Sequence, residues 1–330
     1  MRVDRYARLN AAVLRTLFMA ALLILFISAA LAAERGTFVR ATQVYTQADP
    51  TSAKVATVKR GQEAVVLERA SGWIRVVASL ADAPFTPEDE TRREDHTANG
   101  WALESGYISE SSAKGDEIVF AEAADSEDEA SKRYGRKGAA GDAQRLYYRV
   151  YDLFPKSPLA AEALYRAADI QWQLDRAELE SRALYKTLTP DQRQPINEEF
   201  LRLVHKKYPG SRWDELAAYE MLDNKLCGDW SVAVNCPERE AEVYEKYVAE
   251  YPNSPKAAEA LYNAAYRWAA AIAIYKGAGK PNKVPDAQKR ATAGAQKLLE
   301  KNVSPEWNAK AERLLYMVRN NIPAYGTSVE

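Results

Sequence analysis

From Asp142 to the C-terminus, apolar and polar residues recur with the 3.6-residue period of amphipathic helices. Tyr147, Val150, Tyr151 and Phe154 form one apolar stripe, Leu164, Ala167 and Ala168 a second, and Leu261, Ala264 and Ala265 its counterpart. Ser157-Pro158, Ser254-Pro255 and Ser304-Pro305 each put a capping hydroxyl before a proline at a first helical position, where the missing N–H costs nothing. Phe154-Pro155, Tyr208-Pro209 and Tyr251-Pro252 close the preceding helices, because a residue before proline is pushed out of the α region. These signals predict helices over 142–154, 157–174, 176–188, 195–208, 211–226, 237–251, 254–276, 285–301 and 304–320. Upstream the texture is β. Thr37–Tyr45, Ala53–Val58, Glu63–Glu68, Trp73–Ala78 and Gly100–Leu103 are short runs rich in β-branched and aromatic residues, separated by Asp-Pro, Arg-Gly and Ser-Gly breaks, and predict five or six strands. Residues 111–141, with several glycines and the acidic run Asp125–Ala130, read as an acidic linker with room for one helix over 116–134.

The helical half repeats itself. Residues 154–168 read FPKSPLAAEALYRAA and residues 251–265 read YPNSPKAAEALYNAA. A weaker copy runs from Tyr208-Pro209-Gly210-Ser211 through Leu216, Ala217, Ala218 and Tyr219, at spacings of 54 and 43 residues. Self-similarity in this range marks stacked helix pairs, whose large surfaces hold other macromolecules. The alanines at matching places let neighbouring helices approach closely. Most of the 19 tyrosines fall on the repeat stripes and read as packing.

The 330 residues suffice for two domains with separate cores. The N-terminus carries Arg2, Arg5, Arg8 and Arg15, then an apolar run from Leu17 to Leu31 and the small-x-small pattern Ala30-Leu31-Ala32. Residues 1–32 therefore read as a cleaved signal peptide, with an uncleaved membrane anchor as the alternative. The mature protein is expected to be periplasmic or secreted and to have no integral membrane span. Without residues 1–32 the chain keeps 41 basic and 45 acidic residues, a formal charge near −4. That balance leaves no electrostatic footprint for nucleic acid and argues against docking on anionic lipid.

The two cysteines, Cys227 and Cys236, lie in one short connection, CGDWSVAVNC. In an exported protein they are expected to pair, closing a loop that stabilises the fold by about 2–3 kcal/mol in the chain-entropy model. A metal site or catalytic thiol is the weaker alternative, since the only histidines, His96 and His205, are distant in sequence. No phosphate-binding glycine loop, zinc set or calcium loop occurs, and no cofactor or metal is expected.

The β pieces come in an order that resembles the bacterial SH3-like family: Val44-Tyr45, Asp49 to Val55, Val58-Lys59-Arg60-Gly61, Val65-Val66-Leu67, Ser71 to Val76, Asn99 to Ala102 and Gly106-Tyr107-Ile108. The resemblance covers about 75 residues of the chain. It implies a small barrel and a ligand-binding module that contacts peptidoglycan or a peptide. The chain departs from that pattern between Ala78 and Asn99, where an insert carries Asp82, Glu88, Asp89, Glu90, Glu94 and Asp95. Tyr45, Trp73, Trp101 and Tyr107 are the aromatic residues that such a groove would use, and each is equally a core candidate. The repeated phrase, aromatic-Pro-x-Ser-Pro-x-Ala-x-x-Ala-Leu-Tyr, resembles the tetratricopeptide variant of exported bacterial proteins. It is similar to the repeats of the outer-membrane assembly lipoprotein and of the periplasmic cell-division coordinator. The resemblance implies a superhelix that holds a peptide or protein partner.

The fold class expected is thus multidomain, a small all-β SH3-like barrel over 33–110 followed by an all-α tetratricopeptide-like superhelix over 142–322 and a tail over 323–330. The function expected is a non-enzymatic scaffold or adaptor of the cell envelope. One alternative is an accessory of outer-membrane or secretion assembly that touches no cell wall. Another is a lytic enzyme using Glu104 or Glu180, each followed by serine as in some lytic transglycosylases, although neither precedes the Gly-rich stretch a sugar cleft needs.

Overall fold

The structure is a computed structural model that describes residues 33–81, 96–188, 192–228, 230 and 233–325. The expected signal peptide, residues 82–95 of the acidic insert and residues 326–330 of the tail lie outside the described residues. The chain divides into two compact units, Met1–Gly115 and Asp116–Glu330.

The first unit is one antiparallel sheet of seven strands: β1 Glu34–Phe38, β2 Thr42–Tyr45, β3 Lys54–Val58, β4 Glu63–Ala70, β5 Trp73–Ser79, β6 Thr97–Leu103 and β7 Tyr107–Ser109. Their order is β3-β2-β6-β5-β4-β1-β7. Among the described residues the sheet is open, with β3 and β7 at its edges, so the closed barrel expected from the strand order is not formed by these pairings. The run Thr37–Tyr45, expected as one strand, is two. The chain bends at Val39, whose N–H donates to the Gly106 carbonyl at 2.9 Å, so that β1 pairs with β4 and β7 while β2 pairs with β3 and β6. Alternation buries Phe38, Val44, Ala64, Val66, Ile74, Val76, Ala78 and Ala102 on one face.

The second unit is helical: α1 Gly115–Ser131, α2 Ala139–Leu153, α3 Ala160–Ser181, α4 Ala183–Thr187, α5 Glu199–Lys207, α6 Arg212–Glu220, α7 Cys236–Glu250, α8 Ala257–Gly277, α9 Val284–Lys301 and α10 Pro305–Arg319. The acidic segment, expected as a linker with room for one helix over 116–134, forms that helix as α1, and it is packed. Val119, Ala123 and Ser126 are fully buried, Phe120 meets the Tyr147 ring edge-on at 5.2 Å, and Asp116 accepts from Ser157 Oγ at 2.6 Å. The break expected near residue 175 is missing because no glycine or proline interrupts Ala160–Ser181, so α3 continues as one helix. Residues before Glu199 are held out of helix by Asn224, which bonds both the N–H and the carbonyl of Ile196 at 3.0 and 2.9 Å.

The punctuation read from the sequence has a common geometry. Phe154, Tyr208 and Tyr251 adopt nearly one backbone conformation (φ −124, −131 and −123°), and their carbonyls accept from Ser157, Ser211 and Ser254 at 2.9, 3.2 and 3.2 Å. Ser304 caps α10 as expected, accepting from the Trp307 N–H. After Ser157 and Ser254 the α-helix starts three residues later than expected, because a tight turn intervenes: Ala160 N–H donates to the Ser157 carbonyl and Ala257 N–H to that of Ser254, at 3.1 and 2.9 Å. The largest core centres on α8, where Leu261, Ala264, Ala265, Trp268, Ala269, Ala271 and Tyr275 are all buried. On α9, Ala287, Ala291 and Ala295 form a buried small stripe, and a Cβ at Gly294 would stand 2.9 Å from that of Ala265, so this helix pair needs glycine there. Among the described residues no helix is long and apolar enough to cross a membrane.

Candidate functional site

The face of the sheet opposite the apolar core is aromatic. Register places Arg75 beside Trp101, Trp73 beside Leu103 and Tyr45 beside Trp101, so these side chains alternate with the buried Ile74, Val76, Val44 and Ala102. Tyr45 and Trp73 meet edge to face with ring centroids 5.8 Å apart. A Cβ at Gly100 would lie 2.4 Å from the Tyr45 carbonyl oxygen, so glycine is what lets β2 approach β6 here. Tyr45, Trp73 and Trp101 are half-buried, and Arg75 and Leu103 are exposed beside them. Such a surface offers flat apolar rings with few torsions to freeze, next to the cations Arg75 and Lys54, the latter paired in register with Tyr45.

Tyr107, the fourth residue proposed for the groove, is on the other face. Its register partner is Phe38, against which its ring packs at 5.3 Å, and its hydroxyl bonds the Ala64 and Glu34 carbonyls at 3.0 and 3.1 Å. Burial, then the charge of Glu34, holds its hydroxyl well above the usual tyrosine range. Tyr107 is therefore a core residue.

In the helical unit Cys227 and Cys236 form a disulfide with Cα atoms 6.0 Å apart. With Glu240 they bring three ligand-type atoms close together, but both sulfurs are used on each other. Glu240 is buried and serves as an anchor: Oε1 accepts from the Cys227 and Gly228 N–H groups at 2.9 and 3.0 Å, and Oε2 from Arg267 Nε at 2.7 Å. The Arg267 guanidinium lies over Tyr244 at 4.5 Å and Trp230 at 5.6 Å. Trp230 in turn packs on Tyr266 and Tyr325, so the tail is tied down as far as Tyr325.

His96 is exposed beyond the start of β6, while Glu104 pairs with Arg69, which also holds Glu34. Glu180 is exposed on α3. His205 Nδ1 lies 2.7 Å from Asp214, a partner its helical spacing did not reveal. Asp214 is buried and also accepts from Gly210 N–H at 2.7 Å, which ties down the turn between α5 and α6.

A further pattern runs along the second helices of the repeats. Counting eight residues from Ser157, Ser211 and Ser254 reaches Tyr165, Tyr219 and Tyr262. Each ring is covered by a side chain from the start of the next second helix. Trp213 stacks on Tyr165 at 5.5 Å, the Lys256 ammonium sits over Tyr219 at 5.1 Å, and Trp307 packs on Tyr262 at 5.8 Å. The hydroxyls also reach forward: Tyr165 donates to Glu220, and Tyr219 accepts from Asn263 Nδ2 at 3.3 Å. Glu220 and Asn263 each directly follow the tyrosine of their own repeat. Alignment of the copies would have exposed this position, which otherwise reads as an ordinary polar residue.

No known protein family matches the chain, and no curated protein matches it. Among solved structures it is similar to the DHF79 filament (19% identity, TM-score 0.22, covering 61% of this chain and 96% of that one) and the DHF119 filament (19%, 0.22, 63% and 93%). It is also similar to the de novo designed helical repeat protein DHR64 (19%, 0.20, 63% and 92%). Superpositions this poor carry no argument. The class the chain itself defines is an antiparallel sheet domain followed by an array of about ten helices with a repeated aromatic-to-serine turn and tyrosine.

Proposed function

We propose that the protein is a non-enzymatic, exported adaptor of the cell envelope. Its sheet is an SH3-like module that binds peptidoglycan or a peptide through Tyr45, Trp73 and Trp101, and its tetratricopeptide-type helices hold a protein partner. The observation that carries this reading is the half-buried aromatic face of the sheet, with Arg75 and Leu103 exposed beside it. Rings that are neither in the core nor fully hydrated bind sugar or peptide with little entropy to lose. The Cys227–Cys236 disulfide is consistent with an oxidising compartment. Two modules on one chain raise apparent affinity through effective concentration.

The test is co-sedimentation of the chain from residue 33 with purified peptidoglycan sacculi, beside a Trp73→Ala/Trp101→Ala variant. Pelleting of the parent and loss of pelleting in a variant with an unchanged far-UV spectrum is expected. A parent that stays in the supernatant refutes wall binding and leaves the accessory of outer-membrane or secretion assembly. Clearing of the sacculi suspension, abolished by Glu104→Gln or Glu180→Gln, would refute the non-enzymatic reading.

A further inference from the structure

The tyrosine seam is built twice with different chemistry. Between α6 and α8 Tyr219 accepts from the Asn263 amide and also meets the Glu259 carboxylate, which is paired with Lys256 at 2.8 Å. Between α3 and α6 the forward partner of Tyr165 is a carboxyl, Glu220, whose Oε1 takes the tyrosine hydroxyl while Oε2 is buried with no hydrogen-bond partner. The Tyr165–Trp213 stack closes over the same junction. A carboxylate left with a bare, dehydrated oxygen is costly, and the neutral acid much less so.

The charges around Glu220 oppose its ionisation. From α3, Asp169 repels it, as does Asp223 from the turn after α6. Asp223 is itself paired with Arg176 of α3. From the start of α8 Lys256 attracts it, but that ammonium is engaged by Glu259 at 2.8 Å. Asp169 accepts from Gln173 at 2.8 Å and feels Glu127 of α1 and Arg166 and Arg176 of its own helix.

We propose that the α3–α6 junction is a pH-responsive joint of the array, closed when Glu220 is protonated and loosened when it ionises, while the amide-based α6–α8 junction is indifferent to pH. Burial first, and Asp169 second, push the Glu220 carboxyl up to about 7, and burial also raises Asp169. A carboxyl whose folded value lies above its unfolded one contributes stability that is complete below the unfolded value, near 4.5. That contribution is lost as pH rises through about 7. The joint thus works across the range in which an ordinary glutamate is already charged, and a binding surface spread over α3 and α6 would change with acidity.

The test is hydrogen exchange of the full chain read by mass spectrometry between pH 5 and 8, corrected for the intrinsic pH dependence of exchange. In segments 160–181 and 212–220, protection is expected to fall by up to about tenfold per pH unit until about pH 7 and then level off. Segment 257–277 should keep a flat profile, and Glu220→Gln should flatten the other two. Equal profiles for parent and Glu220→Gln overturn the proposal. If that variant does not fold, Asp169→Asn decides: removing the repelling charge moves the loss of protection to lower pH, and an unmoved profile overturns it.

Discussion

Replacing Glu240 by alanine is expected to destabilise the helical unit by about 3–5 kcal/mol, the range for removing one partner of a buried ion pair. Glu240 is 1% exposed and its carboxylate holds three donors, two of them backbone N–H groups of the disulfide loop. Without it the Arg267 guanidinium, whose side chain is 13% exposed, keeps its contacts with the Tyr244 and Trp230 rings and longer hydrogen bonds at 3.3 Å to Asn263, but no counter-charge from Glu240. Gly228 is exposed, so water recovers part of the lost backbone bonding, and the unpaired arginine dominates the loss. Glu240→Gln keeps an acceptor for the two loop amides but sets an NH2 group against Arg267 Nε, so a smaller loss is expected. Glu240→Leu combined with Arg267→Met removes both charges while keeping apolar volume, and should recover most of the stability. For a unit spanning Asp116–Glu330, the alanine variant should lower Tm by about 6–20 °C in differential scanning calorimetry. A fall below about 2 °C, or a double variant no better than the alanine variant, would refute the assignment of Glu240 as the anchor of this loop.

Three further outcomes follow from the packing. Reduction of the Cys227–Cys236 bridge, or Cys227→Ser with Cys236→Ser, should cost about 2–3 kcal/mol in urea unfolding, given the separation of nine residues, and no loss would mean that Glu240 alone fixes the loop. Gly294→Ala gains about 1 kcal/mol of helix propensity but puts a methyl 2.9 Å from Ala265, which costs about 1–3 kcal/mol, so the urea midpoint should fall; a rise would contradict the close approach of α8 and α9. Ser304→Ala should cost about 1 kcal/mol as a lost cap, and Ser254→Ala more, because the buried Ser254 hydroxyl also bonds Tyr247 at 2.6 Å; equal losses by chemical denaturation would contradict this.

Much of the helical unit was legible because its signals are local. A Ser-Pro pair, an aromatic-Pro stop and a 3.6-residue stripe each act within a few residues, and α7 to α10 lie within three residues of their expected spans. The misreadings came where a distant contact decides. The acidic run falls on the helix for which the expected linker left room, but its packing was hidden: Glu127 accepts from Tyr147 and pairs with Arg166, partners 20 and 39 residues away, and Ala123 and Val119, one and two turns earlier on the same face, are buried. In the sheet, Trp73, Trp101 and Tyr45 share one face and Tyr107 lies on the other, a division the sequence did not reveal. Which face a strand residue occupies depends on register, and the Phe38–Tyr107 pairing is set by the bend at Val39.

The repeat motif also conceals the positions where the copies differ in chemistry. Self-similarity identifies what the copies share: the serine, the tyrosine eight residues on, and the alanines between. The junctions are decided by the residue after each tyrosine, which is Arg166, Glu220 and Asn263 in successive copies. In a single helix such a residue is an ordinary polar position. In the array it becomes the partner of the preceding repeat's tyrosine, and a change from amide to carboxyl there moves a junction from neutral hydrogen bonding to ionisation near neutrality. Once the repeat is known, the informative residues of such an array are those that break its identity at the seams.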